Sequence, residues 1–197
     1  MPTTTAKTLS TLAAVLGAIM IVTACAPADT GPTANEARDA WLSDYDLDGL
    51  GGREVIEQLD TMPVAERPND LIAAVQPDAV LLSDDDGNQA TLDLPDDEFY
   101  VSIAPYLDQT HDCHFHSLTT CLGELRNENI DITVTDASDD TVILDETIHT
   151  YDNGFAGLWL PRGIDATLTI EHDDQTASTL ISTSGDDPTC LTTLQLT

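Results

Sequence analysis

The chain has 197 residues, with 36 acidic side chains against six basic ones and a net charge of −30. That length suits one or two small domains with a real core. The charge argues against a nucleic-acid-reading surface, which needs clustered Lys and Arg, and disfavours docking on anionic lipid headgroups.

The only lysine, Lys7, precedes a run of apolar and small residues from Leu9 to Thr23. The run is shorter than the ~20 residues of a stable membrane span and reads as a secretory signal. It ends in Val22-Thr23-Ala24-Cys25, which resembles the lipobox of bacterial lipoproteins. The resemblance implies a signal peptide over residues 1–24, cleavage before Cys25 and lipidation of its sulfur. The protein would then be exported and lipid-anchored to the outer face of the cell membrane. The mature chain of 173 residues would carry five Arg and no Lys against the same 36 acids, a net charge of −31. Leu, Ile, Val and Phe make up 41 of those 173 residues. That fraction lies above the ~20% below which high charge predicts disorder, so a folded protein is expected. Asp outnumbers Glu 27 to 9, a surface suited to solubility in a salty or variable outside environment, where screening relieves self-repulsion.

Residues 25–34 read as a Pro/Thr/Gly tether. Asn35 is a candidate N-cap, with acids in the first turn behind it, and Trp41 and Tyr45 lie four apart on one helical face. Gly49 is placed to stop that helix. A second helix is predicted over roughly Arg53–Thr61, with Val55, Ile56 and Leu59 on one side, before Pro63 and Pro68 break the pattern. From Leu71 the pattern turns to strands. Asp84-Asp85-Asp86-Gly87-Asn88 between Val80–Ser83 and Ala90–Leu94 predicts a hairpin. Alternation at Phe99, Val101, Ile103 and at Ile130, Ile132, Val134 predicts two more strands. Further strands are expected at 141–150, 155–160, 166–171, 177–183 and 190–196, with turns at 152–154, 161–163 and 185–188. Short strands with regular turns indicate a β-sandwich. The fold class is therefore α+β: a small helical N-terminal region, then a β-rich, sandwich-like C-terminal domain. The boundaries are placed at 35–97 and 98–197.

Three patterns invite chemistry. Asp44-Tyr45-Asp46-Leu47-Asp48-Gly49 matches the first half of an EF-hand calcium loop, but the twelfth position is Val55 rather than a bidentate Glu. A solvated helix end explains it better. Ser117, although close to several His and Asp, lacks a Gly-x-Ser-x-Gly elbow. The third pattern is His111-Asp112-Cys113-His114-Phe115-His116-Ser117-Leu118-Thr119-Thr120-Cys121, echoed far off by Thr189-Cys190-Leu191-Thr192-Thr193. Thiolate and imidazole together select soft or borderline metals. In an extended segment His114 and His116 would share one face and His111 and Cys113 the other.

With Cys25 assigned to lipid, Cys113, Cys121 and Cys190 remain, and an exported protein would normally pair its cysteines. Three cannot all pair within one chain. One reading is a Cys113–Cys121 disulfide with Cys190 spare. The other is a soft-metal site of three thiolates and a His. Zinc is the weaker choice there, because Cys-x7-Cys is not a zinc-finger spacing, and copper(I) tolerates sites of two or three thiolates.

The cluster resembles the CueP family of exported bacterial copper-binding proteins. The similarity also covers Phe99-Tyr100-Val101-Ser102-Ile103-Ala104-Pro105-Tyr106, Leu122-Gly123-Glu124-Leu125, Asp152-Asn153-Gly154-Phe155-Ala156-Gly157-Leu158-Trp159-Leu160-Pro161 and Thr189-Cys190-Leu191-Thr192-Thr193-Leu194. The resemblance implies copper ligation by Cys113, Cys121 and Cys190, with His111 and His116 inside the motif and His114 a candidate only. It implies copper tolerance outside the cytoplasm by holding copper(I), delivery to a copper-receiving enzyme, two domains and a homodimer. A lipid anchor departs from the soluble periplasmic form familiar in the family. Two other functions compete: a thiol oxidoreductase or copper reductase using Cys113 and Cys121, and a disulfide-stabilised cell-surface scaffold. The missing Cys-x-x-Cys counts against the oxidoreductase.

Overall fold

The structure, a computed structural model, describes residues 33–197. The expected signal segment, Cys25 and the expected tether as far as residue 32 lie outside the described residues. Helix α1 (Ala34–Leu42) is capped by Thr33 rather than by Asn35. Thr33 Oγ1 accepts the Glu36 N–H at 3.3 Å, and the Glu36 carboxylate accepts the Thr33 N–H at 2.7 Å. This reciprocal box satisfies two helix-end donors, which a lone Asn cap cannot do. Trp41 meets Tyr45 edge-on, with ring centroids 6.1 Å apart.

Helix α1 ends ahead of Gly49. A 3-10 turn follows at Ser43–Tyr45, Asp46 takes a left-handed φ of 58°, and the Leu47 N–H bonds to the Leu42 carbonyl at 3.0 Å. Leu47 is fully buried, while Asp44, Asp46 and Asp48 face solvent. The EF-hand-like stretch is thus a helix stop with an apolar plug. Its acids enter no metal-competent donor group among the described residues.

Helix α2 (Gly52–Thr61) buries Val55, Ile56 and Leu59 along one stripe. The stripe packs on a three-stranded antiparallel meander, β1 (Leu71–Val75), β2 (Ala79–Asp84) and β3 (Gln89–Asp93). Its partners include Leu71, Ala73, Val80 and Leu82, and each such buried aliphatic side chain contributes about 1.5–3 kcal/mol. The expected hairpin is present, its turn tied by Asn88 N and Nδ2 donating to the two Asp84 carboxylate oxygens, each at 2.8 Å.

The remaining strands form a sandwich. These are β4 (Glu98–Ile103), β5 (Asn129–Asp136), β6 (Val142–His149), β7 (Ala156–Pro161), β8 (Asp165–His172), β9 (Gln175–Ser182) and β10 (Cys190–Leu191). One sheet runs β10-β4-β7, with β10 parallel to β4, and the other runs β6-β5-β8-β9, all antiparallel. Phe99, Val101 and Ile103 of one sheet share a core with Ile130, Ile132, Leu168 and Ile170 of the other.

Two expectations need correction here. In strand β4 the alternation does not separate buried from exposed residues, because Tyr100 and Ser102 are buried as well. Its odd residues fill the sandwich, while Tyr100 belongs to the core under α2. The last strand stops at Leu191 instead of reaching Leu196. Thr192 turns away to serve a loop, its hydroxyl donating to the His111 carbonyl at 2.6 Å, while Leu194 and Leu196 plug the sandwich core. None of the described helices is long and apolar enough to cross a membrane.

Candidate metal centre

The segment carrying the cluster is threaded between the two β regions. On one side the Val75 N–H bonds to the His116 carbonyl and the Leu118 N–H to the Ala73 carbonyl, both at 2.8 Å. On the other the Cys190 N–H bonds to the His114 carbonyl at 3.1 Å. Thr189 Oγ1 joins the two sides: it accepts the His116 N–H at 3.0 Å and donates to the Val75 carbonyl at 2.6 Å. A turn over 117–121 then folds Cys121 back, with Cys121 N–H on the Ser117 carbonyl and Ser117 N–H on Cys121 Sγ. Ser117 Oγ accepts from Thr120, and no triad forms around it.

This threading brings five of the six predicted side chains together, His114 excepted. Cys113 Sγ lies 3.7 Å from Cys121 Sγ, and Cys190 Sγ lies 3.9 Å from His116 Nδ1. All three cysteines are free thiols, so the disulfide reading does not describe this state. Two groups have donor atoms mutually within 4.8 Å: His111, Cys113 and Cys121, and His116, Cys121 and Cys190. Ala104 and Phe155 close the apolar wall around the sulfurs. His114 enters neither group: it is exposed and packs its ring on Phe115 at 4.5 Å. The shared face expected for His114 and His116 is therefore absent, because the chain bends at 114–115 instead of running extended.

Charge in the pocket is concentrated on Cys121. Its thiol is held well below the ordinary value by hydrogen bonds from Cys113 and Cys190 and by His116. Hydrogen bonding to Cys121 pushes the Cys113 thiol up to about 12, and hydrogen bonding to Cys113 and then Cys121 pushes Cys190 up as well. Burial pushes His116 down, but the carboxylate of Asp60 outweighs it and raises the imidazole to about 9.

Asp60 is the functional residue that sequence reasoning missed. It is wholly buried on α2, and its Oδ1 accepts from His116 Nε2 and from Asn153 Nδ2, both at 2.9 Å. Its Oδ2 accepts from the Tyr100 hydroxyl and, at 3.3 Å, from Ser102. Burial alone would raise its pKa; the imidazolium and these donors hold it below the usual carboxylate value. With Nε2 occupied by Asp60, His116 presents Nδ1 to the sulfurs, the arrangement by which a carboxylate orients a metal-binding imidazole. Buried Arg67 completes the frame, donating to the Asp60 carbonyl at 3.0 Å and to the Cys121 carbonyl at 3.4 Å. The available signal was an acid inside an apolar stripe, since Asp60 falls one turn after Ile56 and directly after Leu59.

Two glycine contacts make the geometry possible. Gly123 and Gly154 cross backbone to backbone, so that a Cβ on either would fall 2.6 Å from the other. This crossing holds the loop after Cys121 against the turn carrying Asn153. A Cβ at Gly157 would meet the Tyr100 hydroxyl at 2.0 Å, so the bare backbone there lets Tyr100 reach Asp60.

The donor set suits a soft ion: three sulfurs and imidazole nitrogen, with no carboxylate in either group. Together, the seam between an α/β layer and a sandwich and the pocket of thiols and imidazole define a protein with a candidate soft-metal site. The chain belongs to the CueP family, whose model, described as "Periplasmic copper-binding protein CueP", matches residues 54–195. It is also similar to the solved crystal structure of S.CueP, with 38% identity and a TM-score of 0.76, over 82% of this chain and 98% of that one. None of the curated proteins matches.

Proposed function

We propose that this protein holds copper(I) outside the cytoplasm through Cys113, Cys121, Cys190 and His116, with His111 at the rim. The observation that carries the reading is the convergence of three cysteines and a carboxylate-oriented imidazole from distant points of the chain. Sulfur-rich, low-coordination surroundings favour copper(I) over zinc and over copper(II). The partial exposure of Cys113 and His111 supports exchange with a copper-receiving enzyme, and tight holding supports copper tolerance. Residues 1–24 act as a signal peptide, and Cys25 carries a lipid that anchors the chain to the outer face of the membrane. Incorporation of labelled palmitate, lost in Cys25→Ser, tests that anchor. The copper reading is tested by anaerobic competition against a copper(I) chelator. The reduced full chain should take the ion, and a Cys113/Cys121/Cys190 triple-Ser variant should not; equal binding by both would overturn the assignment.

A second reading rests on the 3.7 Å separation of Cys113 and Cys121. That pair could close to a disulfide, giving a thiol-redox protein that releases metal on oxidation.

A further inference from the structure

The two donor groups share a single atom, Cys121 Sγ. Exposure falls in order across them. His111 is exposed and Cys113 half-buried, whereas Cys121 is 8%, Cys190 1% and His116 0% exposed. The wholly buried ring of Phe155 lies 4.6 Å from the His116 ring and 6.3 Å from the His111 ring, a wall common to both imidazoles. His111 also lines a surface depression of about 220 Å³, beside Leu122, Glu124 and Arg126.

The supports differ as well. The inner donors are fixed by strand pairing at Cys190 and by Asp60 on His116. The outer imidazole sits on a loop held at its base and, at the His111 carbonyl, by the Thr192 hydroxyl at 2.6 Å. At the base the Glu124 carboxylate accepts the N–H groups of Leu107, Asp108 and Gln109, at 2.7, 3.0 and 3.2 Å. A preorganised buried group retains an ion tightly, and a partly exposed group on a loop exchanges one quickly.

We propose, on the basis of the copper(I) reading, that the two groups are successive stations for one ion. The outer station of His111, Cys113 and Cys121 captures it, the inner station of His116, Cys121 and Cys190 retains it, and Cys121 is the pivot. In the step between them the copper bonds to His111 nitrogen and Cys113 sulfur break. Bonds to Cys190 sulfur and His116 Nδ1 form, and the bond to Cys121 persists. Copper stays copper(I), and no electron moves. Protons leave Cys190 Sγ and His116 Nδ1; one is taken up by the released Cys113 sulfur and the other passes to solvent. Release to a partner runs the same step backwards.

Anaerobic stopped-flow with copper(I) supplied as its bicinchoninate complex separates capture from retention. In the reduced full chain, His111→Ala should slow uptake about tenfold and leave the equilibrium affinity unchanged. Cys190→Ser, which keeps the size of the buried side chain, should weaken affinity by at least about tenfold and leave the capture phase intact. His116→Asn provides a second inner lesion with the same expected split. Equal losses of affinity in the outer and inner variants would mean one cage and overturn the two-station scheme, as would an unaltered uptake rate in His111→Ala. Failure of the unmodified chain to take copper would instead overturn the copper reading on which the scheme stands.

Discussion

Replacing Asp60 by Asn tests how the helical layer and the metal pocket are joined. The carboxylate accepts from four side chains, His116, Asn153, Tyr100 and Ser102, and Arg67 Nη2 lies 3.7 Å from Oδ1. An amide keeps one accepting oxygen and turns an NH₂ toward donors that already point at it. A lost charge-assisted hydrogen bond is worth about 1.5–3 kcal/mol. Arg67 is 5% exposed and would lose its buried counter-ion, and breaking such a pair by removing one partner costs about 3–5 kcal/mol. These terms describe one network and do not add, so the expected loss is about 3–5 kcal/mol of a typical total of ~5–15. Urea unfolding of the reduced, metal-free chain at pH 7 should show a lower midpoint at unchanged slope. Tyr100→Phe, which removes one donor and leaves the charge, should lose about 1 kcal/mol. A loss below about 1 kcal/mol in Asp60→Asn, within the range of ordinary surface changes, would refute the reasoning.

Other consequences follow from the same geometry. Burial pushes the Glu124 carboxyl up, but three backbone donors together outweigh it and hold it below its ordinary 4.5. Its clamp on 107–109 is therefore complete above pH 4.5 and lost as pH falls through the lower folded value. Amide shifts of Leu107, Asp108 and Gln109 should titrate together with a midpoint under 4.5, and a midpoint at or above 4.5 would contradict the clamp. Gly157→Ala drives a methyl into the Tyr100 hydroxyl and should destabilise by about 1–3 kcal/mol. Adding Tyr100→Phe should recover part of that loss in a double-mutant cycle, and strict additivity would refute the contact. Mild oxidation with diamide should close Cys113 to Cys121 and leave Cys190, only 1% exposed, as the one thiol of these three counted after unfolding. Recovery of Cys113 as that thiol would contradict the 3.7 Å pairing.

Much of the fold was written in local pattern. The stripe Val55, Ile56, Leu59 and the Asp84–Asn88 turn are short-range signals, and both elements formed where expected. Strand β4 was legible as a strand but not as a doubly covered one, since alternation cannot reveal that Tyr100 lies beneath a helix from another part of the chain. The metal cluster was legible because four of its five groups lie within eleven residues. Their division was not: the bend that exposes His114 and buries His116 comes from hydrogen bonds to Ala73, Val75 and Thr189, all remote in sequence. Asp60 was hidden for the same reason, 56 residues from the imidazole that it orients.

The account turns on Cys121 as the sulfur common to both donor groups. X-ray absorption on the reduced full chain loaded with one equivalent of copper tests that most directly. The prediction is a copper(I) edge with a sulfur-dominated shell containing a nitrogen contribution, both lost from the protein in Cys121→Ser. A shell of nitrogen and oxygen alone, or an unchanged sulfur shell in Cys121→Ser, would contradict it.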